Sequence, residues 1–409
     1  MALTKIEPLI ARKLTGLQDQ GRAKGREKVI TGRSPARDGD GPRYHLQGFA
    51  AQSFLRMNSN SYLGLAGNPR LVAAETAAAE QFGVGPGAVR FISGTYQPHI
   101  DLERKLADFH QREAAMIFSA AYAAVMGVLP QFIDAETLVI SDALNHNCII
   151  NAIRLSRPAA KAVYRHLNLQ ELENILKTQR GRVRRVCLVT DGIFSMRGDH
   201  APLQEIIAIC KCHEDAFAEG IITIVDDSHG VGAFGETGRG TEEATGARAD
   251  ILIATLGKAF GVNGGYVTAN ATVIDYLRET APFYVYSNPI TPGEAAAARE
   301  ALTITDSEAG RQLLEKIRRL AGKLRNGLER LGLKTLPGEH PIVPILLGDT
   351  EKTSALAEHL FNRQILATGL NYPVVPKGEE EIRLQISAEQ TEQDIDQLLQ
   401  TLAEFVDKQ

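Results

Sequence analysis

Residues Ala249–Asn270 read ADILIATLGKAFGVNGGYVTAN, and their order decides the fold. Ile251 to Ala254 form an apolar run too short for a helix and bounded by polar Asp250 and Thr255, the pattern of a buried strand. Lys258 follows in a glycine-bearing turn, and GGYVTAN then resumes strand character. A surface lysine needs no such setting; a lysine that must reach a buried electrophile does. A free lysine amine has a pKa of roughly 10.4. It attacks a carbonyl only when neutral, so its surroundings decide its chemistry.

The same arrangement repeats upstream. AAMIF precedes an alanine-rich helix, TLVISD precedes ALNHNCIINAIRLS, and AVYRH precedes LQELENILKTQ. RRVCLVTDGIFS leads to PLQEIIAICKCHEDAF, and IITIVDDSHG follows. Short apolar strands alternating with helices predict an α/β domain over 61–289, its mostly parallel sheet covered on both faces. Before it, 1–60 reads as an N-terminal helix and arm: KIEPLIARKLTGLQDQGRAK is helical, and TGRSPARDGDGP is loop-like by its Gly, Pro and Asp. After it, 290–409 reads as a smaller α+β domain. A long helical region starts near Pro292, IVPILLG, ILATGLNYPVVP and EIRLQIS are strands, SALAEHLFNR is a helix, and a last helix starts near Thr391.

Polar residues recur where the predicted strands end: Asp142 and His146, Asp191 and Ser195, Asp226 and His229, Thr255 and Lys258. Open α/β sheets bind ligands outside the carboxyl ends of their strands. Asp and Ser also cap helices, and Asp142 fits either reading.

Composition removes several other classes. The chain of 409 residues carries a formal net charge of −4, and its basic run RGRVRR is too short for a nucleic-acid footprint. Four cysteines do not make a disulfide framework, and CKCH at 210–213 lies on a helical pattern without a second ligand pair, so no metal site is expected. The opening MALTKIEPLIARKL lacks the apolar core of a secretory leader, and Ala114–Pro130 is too short and too weakly apolar to span a bilayer; a cytoplasmic enzyme is expected. GVGPGAVR follows a helical pattern rather than a strand, so it reads as a turn and not a dinucleotide loop. Phosphate-loop, HExxH and nucleophile-elbow motifs are absent from the sequence.

An amine, a carboxylate, imidazoles and hydroxyls at neighbouring strand ends match the needs of pyridoxal phosphate. That cofactor requires an amine for its aldehyde, a carboxylate for its ring nitrogen, a flat group over the ring, donors at its phenolic oxygen and a phosphate cradle. The motifs NSYLGLAGNP, VRFISGT, HIDLERKLADF, ISDALNHNCIINAIRL, TDGIFSMRGDHAPL, VDDSHGVGAFGETGRG, ADILIATLGKAFG, YSNPITP and YPVVPKGEEEIRLQIS cover residues 55–395. Together they resemble the α-oxoamine synthases, fold-type I pyridoxal phosphate enzymes. RFISGT, SDALNH, DGIFSM, DDSHGVG, YSN and PVVPKG are most similar to the branch of the 2-amino-3-ketobutyrate CoA ligases, the glycine C-acetyltransferases.

The resemblance implies roles. Lys258 joins the cofactor and moves the α-proton; Asp226, rather than Asp227, pairs with the ring nitrogen. His146 covers the ring near the reacting carbon, while Ser195 and His229 reach the phenolic oxygen. The segment after Ser119, with Ala121 and Tyr122, and Thr255 hold the phosphate, joined by Ser287 and Asn288 of a second chain in a homodimer with composite sites. Asn60 lies near the substrate, and Arg383 clamps the amino-acid carboxylate. The expected reaction condenses glycine with acetyl-CoA, giving 2-amino-3-oxobutanoate and CoA. Ser61, Tyr122, Pro289, YRHLN and the spacing of GKAFGVNGGY depart from the ligase pattern, and the last two resemble the 8-amino-7-oxononanoate synthases. Two alternatives therefore stand: a family member using a longer acyl-CoA with glycine or alanine and losing carbon dioxide, and an aminotransferase needing no CoA.

Overall fold

The computed structural model describes residues 2–20, 22–23, 25–372 and 374–407. Helix Ala2–Asp19 opens the chain, followed by short strands β1 (Ile30–Ser34), β2 (Arg43–Leu46) and β3 (Leu55–Arg56). Then come β4 (Ala114–Phe118), β5 (Thr137–Asp142), β6 (Ala160–Tyr164), β7 (Arg185–Asp191), β8 (Ile221–Asp226), β9 (Ile251–Thr255) and β10 (Gly265–Ala269). Strands β11 (Ile342–Leu346), β12 (Ile365–Leu366), β13 (Thr368–Leu370) and β14 (Glu381–Gln385) complete the set.

The chain forms two compact units. The larger comprises 60–321 with 338–341, and the smaller comprises 1–59, 322–337 and 342–409. In the larger, seven strands are ordered β4-β10-β9-β8-β7-β5-β6. Strands β6, β5, β7, β8 and β9 run parallel, while β10 is antiparallel to both β9 and β4. Alternate residues feed two cores, as the period of a strand requires. Val139, Cys187, Val189, Ile224 and Ile253 join helices Ala121–Phe132 and Asn147–Ser156 on one face. Leu138, Ile140, Val186, Leu188, Val225 and Leu252 join helices Leu169–Gln179 and Leu203–His213 on the other. Both faces are buried, which explains why these strands read as unbroken apolar runs. Each buried branched side chain contributes about 1.5–3 kcal/mol.

Register aligns the strand ends. Asp191 pairs directly with Asp226 across β7 and β8, and Ser141, next to Asp142, pairs with Val189. The polar residues therefore emerge in one row.

The larger unit begins at Asn60, one residue from the boundary expected at 60/61, and runs on past 289/290 to Ala321. The expected helical region near Pro292 consists of two helices, Pro292–Thr305 and Glu308–Arg330, interrupted at Asp306 and Ser307. The first packs on helices Pro69–Phe82 and Gln97–Phe109 within the larger unit, so the boundary falls inside the second. The expected loop TGRSPARDGDGP instead takes part in a hairpin: β1 pairs antiparallel with β2, and Asp38 and Gly39 turn the chain at positive φ. Its turn residues are real, but they hide strands that lack apolar alternation. In the same unit β11, β14 and β13 form an antiparallel sheet, β12 pairs with β3, and Phe54 stacks on Phe361 with centroids 5.2 Å apart. The N-terminal helix ends at Asp19 rather than near Lys24; Gly21 and Lys24, like Pro373 of the YPVVP motif, lie outside the described residues. Among the described residues no helix is long and apolar enough to cross a membrane, and none of their acidic, His and Cys side chains group as a metal site.

Candidate active site

A cavity of about 260 Å³ opens where β5, β7, β8 and β9 end. Its size suits one small ring compound rather than a drug-sized ligand, for which several hundred Å³ is typical. Lys258 enters it from the turn after β9, half-buried, and Thr255 from the last residue of that strand. Thr255 Oγ1 donates to the Gly264 carbonyl at 3.1 Å and accepts from Gly257 N–H at 3.0 Å, which shapes the lysine turn.

Asp226 lines the cavity from the end of β8. Its Oδ1 accepts from the Ser228 backbone at 3.1 Å and the Ser228 hydroxyl at 2.5 Å. Its Oδ2 meets only the Cys148 thiol, at 3.7 Å, among the described residues. One oxygen is thus fastened and the other remains available to an N–H donor. Asp227 points elsewhere: it is fully buried and accepts from Thr241 N–H at 2.6 Å and Thr241 Oγ1–H at 2.7 Å.

His146 is the N-cap of helix Asn147–Ser156. Its Nδ1 accepts from Cys148 N–H at 3.3 Å and lies 2.9 Å from the Cys148 thiol. A backbone N–H can only donate, so Nδ1 is the acceptor and the ring proton sits on Nε2. Burial pushes the His146 imidazolium below its ordinary range; the Asp226 charge opposes this, and Lys258 adds to the lowering. The His146 backbone N–H donates to Asp191 Oδ2 at 3.0 Å. Burial, and then the charge of neighbouring Asp226, push the Asp191 carboxyl far up.

His229, after β8, is fixed from behind. Its Nδ1 lies 2.8 Å from the Tyr62 hydroxyl, and its carbonyl accepts from His340 Nε2–H at 2.8 Å. Tyr62 also donates to Asn60 Oδ1 at 3.2 Å.

Helix Ala121–Phe132 points its N-terminus at the cavity, with Ala121 and Tyr122 in the lining. Its N-cap, Ala120, offers no side-chain acceptor, so the first N–H groups are open to an anion. Gly265 permits this placement: a Cβ there would lie 2.3 Å from the Ala121 nitrogen.

The structure therefore brings Lys258, His146, Asp226, Ala121, Tyr122, Ser195, His229 and Thr255 together around one space. Ser119 stands just before the helix and outside the lining, and Asn60 lies behind His229 through Tyr62. Ser287 and Asn288 follow helix Pro282–Val285, the first half-buried and the second exposed, and are outside the lining too. Arg383 is buried on β14 in the smaller unit, paired across strands with Pro344 and Thr368. Sequence reasoning assigned no role to Asp191, Cys148, Ser228, Tyr62 or His340. The spacing of Asp191 at a strand end was the one available signal; the others depend on side-chain direction or on contacts between distant segments.

Residues 52–402 match the model of the family described as aminotransferase class I and II. The chain is 40% identical over 364 residues to 8-amino-7-oxononanoate synthase 1 of Bacillus velezensis, covering 88% of this chain and 90% of that one. It is 37% identical over 407 residues to the mitochondrial 2-amino-3-ketobutyrate coenzyme A ligase of Homo sapiens, covering 98% and 93%. The chain belongs to the α-oxoamine synthase family. Among solved α-oxoamine synthase-like folds, serine palmitoyltransferase from S. paucimobilis, with a bound PLP–myriocin aldimine, superposes with a TM-score of 0.87 at 26% identity, covering 100% of this chain and 99% of that one. The two branches named above match this family member with similar identity, so the ligase branch is not singled out.

Proposed function

We propose that this α-oxoamine synthase binds pyridoxal phosphate in the 260 Å³ cavity and condenses an amino acid with an acyl-CoA, glycine and acetyl-CoA being the favoured pair. The observation that carries the reading is the available Asp226 oxygen in one cavity with Lys258 and the open helix N-terminus. The residues fit the group: Lys258 would hold its aldehyde carbon, Asp226 its ring N–H, Ser195 and His229 its phenolic oxygen, and Ala121, Tyr122 and Thr255 its phosphate. When bound, the cofactor supplies an electron sink for the charge left at the amino acid's α-carbon.

The remaining work falls to the chain's own side chains. The Lys258 amine takes the α-proton, the acyl group takes its place on the α-carbon, and the proton passes to the CoA sulfur as the thioester bond breaks. Asp226 would face the ring N–H and keep it protonated, a preorganised charge interaction. His146, neutral with its proton on Nε2, donates toward the thioester oxygen as the new carbon–carbon bond forms and the CoA thiol leaves. Arg383 holds the substrate carboxylate in its two-pronged geometry, and Asn60 lies near that substrate. Ser287 and Asn288, outside this chain's cavity, reach the phosphate in a homodimer with composite sites; exposed Phe91, Ile92 and Tyr286 of the same unit supply apolar surface for the contact. A cytoplasmic location goes with this reading.

Support for glycine and acetyl-CoA comes from the ligase-like motifs and from a match to the human ligase that spans 98% of this chain. The 40% identity to the oxononanoate synthase favours a second reading, a longer acyl-CoA with glycine or alanine and loss of carbon dioxide. A panel of acyl-CoAs and amino acids, followed by free-thiol release and product mass, separates them. Fastest thiol release with glycine and acetyl-CoA, with all carbons retained in the product, supports the first. Release only with longer acyl groups, or amine transfer to a keto acid without CoA, overturns it.

A further inference from the structure

Beside the cavity, but outside its lining, three charged side chains join two loops. Asp142 ends β5 with its side chain fully buried. Its Oδ1 accepts from Leu144 N–H at 2.8 Å, and its Oδ2 from Leu167 N–H at 2.9 Å. Asp199 closes the turn after β7: Phe194 N–H donates to the Asp199 carbonyl at 2.9 Å, and Gly198 N–H to the Phe194 carbonyl at 2.8 Å. Between the two carboxylates lies His166, two residues past β6. Its Nδ1 is 3.0 Å from Asp142 Oδ1, and its Nε2 is 3.2 Å from Asp199 Oδ2. Its ring meets buried Phe194 edge-on, with centroids 4.4 Å apart. Arg197 Nε–H donates to the same Asp199 oxygen at 2.8 Å.

A neutral imidazole has one N–H, whereas carboxylate oxygens at 3.0 and 3.2 Å from its two ring nitrogens call for two donors. The geometry therefore selects the imidazolium. Burial alone would lower its pKa, but the hydrogen bonds and charges of Asp142 and Asp199 outweigh burial and raise it to about 9. A histidine pKa raised in the folded state gives stability that is complete below the ordinary value of 6.5 and is lost as pH rises through about 9.

What the bridge connects gives it a role. On one side, Asp142 starts the segment that ends at His146; on the other, Asp199 closes the turn that carries Ser195. We infer that His166 is a positioning residue whose imidazolium, held between Asp142 and Asp199, ties the His146 segment to the Ser195 turn so that both present their side chains to one ligand. The inference rests on the proposed function for the ligand's identity, but the tie itself belongs to the protein alone.

The test compares wild type with His166→Gln, which stays neutral at every pH, and Asp199→Asn, which removes one anchor at a partly exposed position. Should His166→Gln fail to fold, Asp199→Asn carries the same test. Millisecond-pulse hydrogen exchange on the cofactor-free protein reads protection factors for 143–147 and 193–198, with helix Leu169–Gln179 as internal reference. At pH 7.5 both segments should lose about tenfold to hundredfold protection in the variants, the range for charge-assisted hydrogen bonds, while the reference helix holds. At pH 10 wild type should fall to the level of the variants. The dissociation constant for pyridoxal phosphate at pH 7.5 should rise in parallel. Equal protection at pH 7.5, loosening of one segment alone, or a difference that persists at pH 10 would overturn the bridge. Failure of wild type to bind pyridoxal phosphate, with the exchange result intact, would count against the proposed function and leave the bridge standing.

Discussion

Where the chain leaves β8, its two sides are built differently. Toward the cavity, Asp226 fastens one oxygen to Ser228 and leaves the other with only the weak Cys148 thiol donor among the described residues. Toward the interior, both oxygens of Asp227 are taken by Thr241. Gly240 comes so close, at positive φ, that a Cβ would lie 2.0 Å from Asp227 Oδ2. Two consecutive carboxylates, both more than nine-tenths buried, thus have opposite accounts of their hydrogen bonds. A buried acceptor with every oxygen used is an element of the fold. One with an oxygen held in reserve implies a partner that comes from outside.

The comparison can be broken at several points. The largest effect is expected at Lys258, which enters the same open side: Lys258→Ala should abolish turnover in the thiol-release assay, since anchor and proton carrier vanish together. Asp226→Asn should lower turnover about 10²-fold or more with the cofactor still bound, because shape is kept and charge is lost. Near-normal turnover at full occupancy would place Asp226 with the structural carboxylates. Arg383 tests whether a buried charge on the smaller unit's sheet behaves like the open or the closed kind. Arg383→Lys should raise KM for the amino acid about tenfold to hundredfold and move the acyl-CoA KM much less. A change confined to the acyl-CoA KM would reassign it.

The smallest effect on rate is expected at Asp227. Asp227→Asn should leave turnover within a few-fold of wild type but alter how stability depends on pH. Burial pushes this carboxyl up from 3.8 to about 7, against the Thr241 hydrogen bonds. A carboxyl that holds its proton more tightly when folded contributes most below its unfolded pKa, and stability declines as pH rises from about 4 through 7. Wild-type Tm should therefore fall more steeply between pH 5 and 7 than that of Asp227→Asn. Parallel curves would contradict the closed-side account.

Much of this contrast was legible beforehand. Buried parallel strands announce themselves as apolar runs, so IITIV and ILIA located Asp226, His229, Thr255 and Lys258 at strand ends, and register placed them in one row. What the pattern could not carry was direction and distance. Nothing in NSYLGL or GEHPI signals that Tyr62 and His340, 278 positions apart, both hold His229. Cys148 reads as a helix residue until the cap turns its thiol toward His146 and Asp226. The β1–β2 hairpin was hidden by its own turn residues, and the break at Asp306 by helical periodicity continuing on both sides.

The central claim is that the cavity holds pyridoxal phosphate through Lys258. Borohydride reduction of the purified protein, followed by peptide mass mapping, tests it most directly. The account predicts a yellow protein whose absorption band disappears on reduction, with one pyridoxyl-phosphate mass added to the peptide containing Lys258. A reduced adduct on another lysine, or a protein that takes up no cofactor, would contradict it.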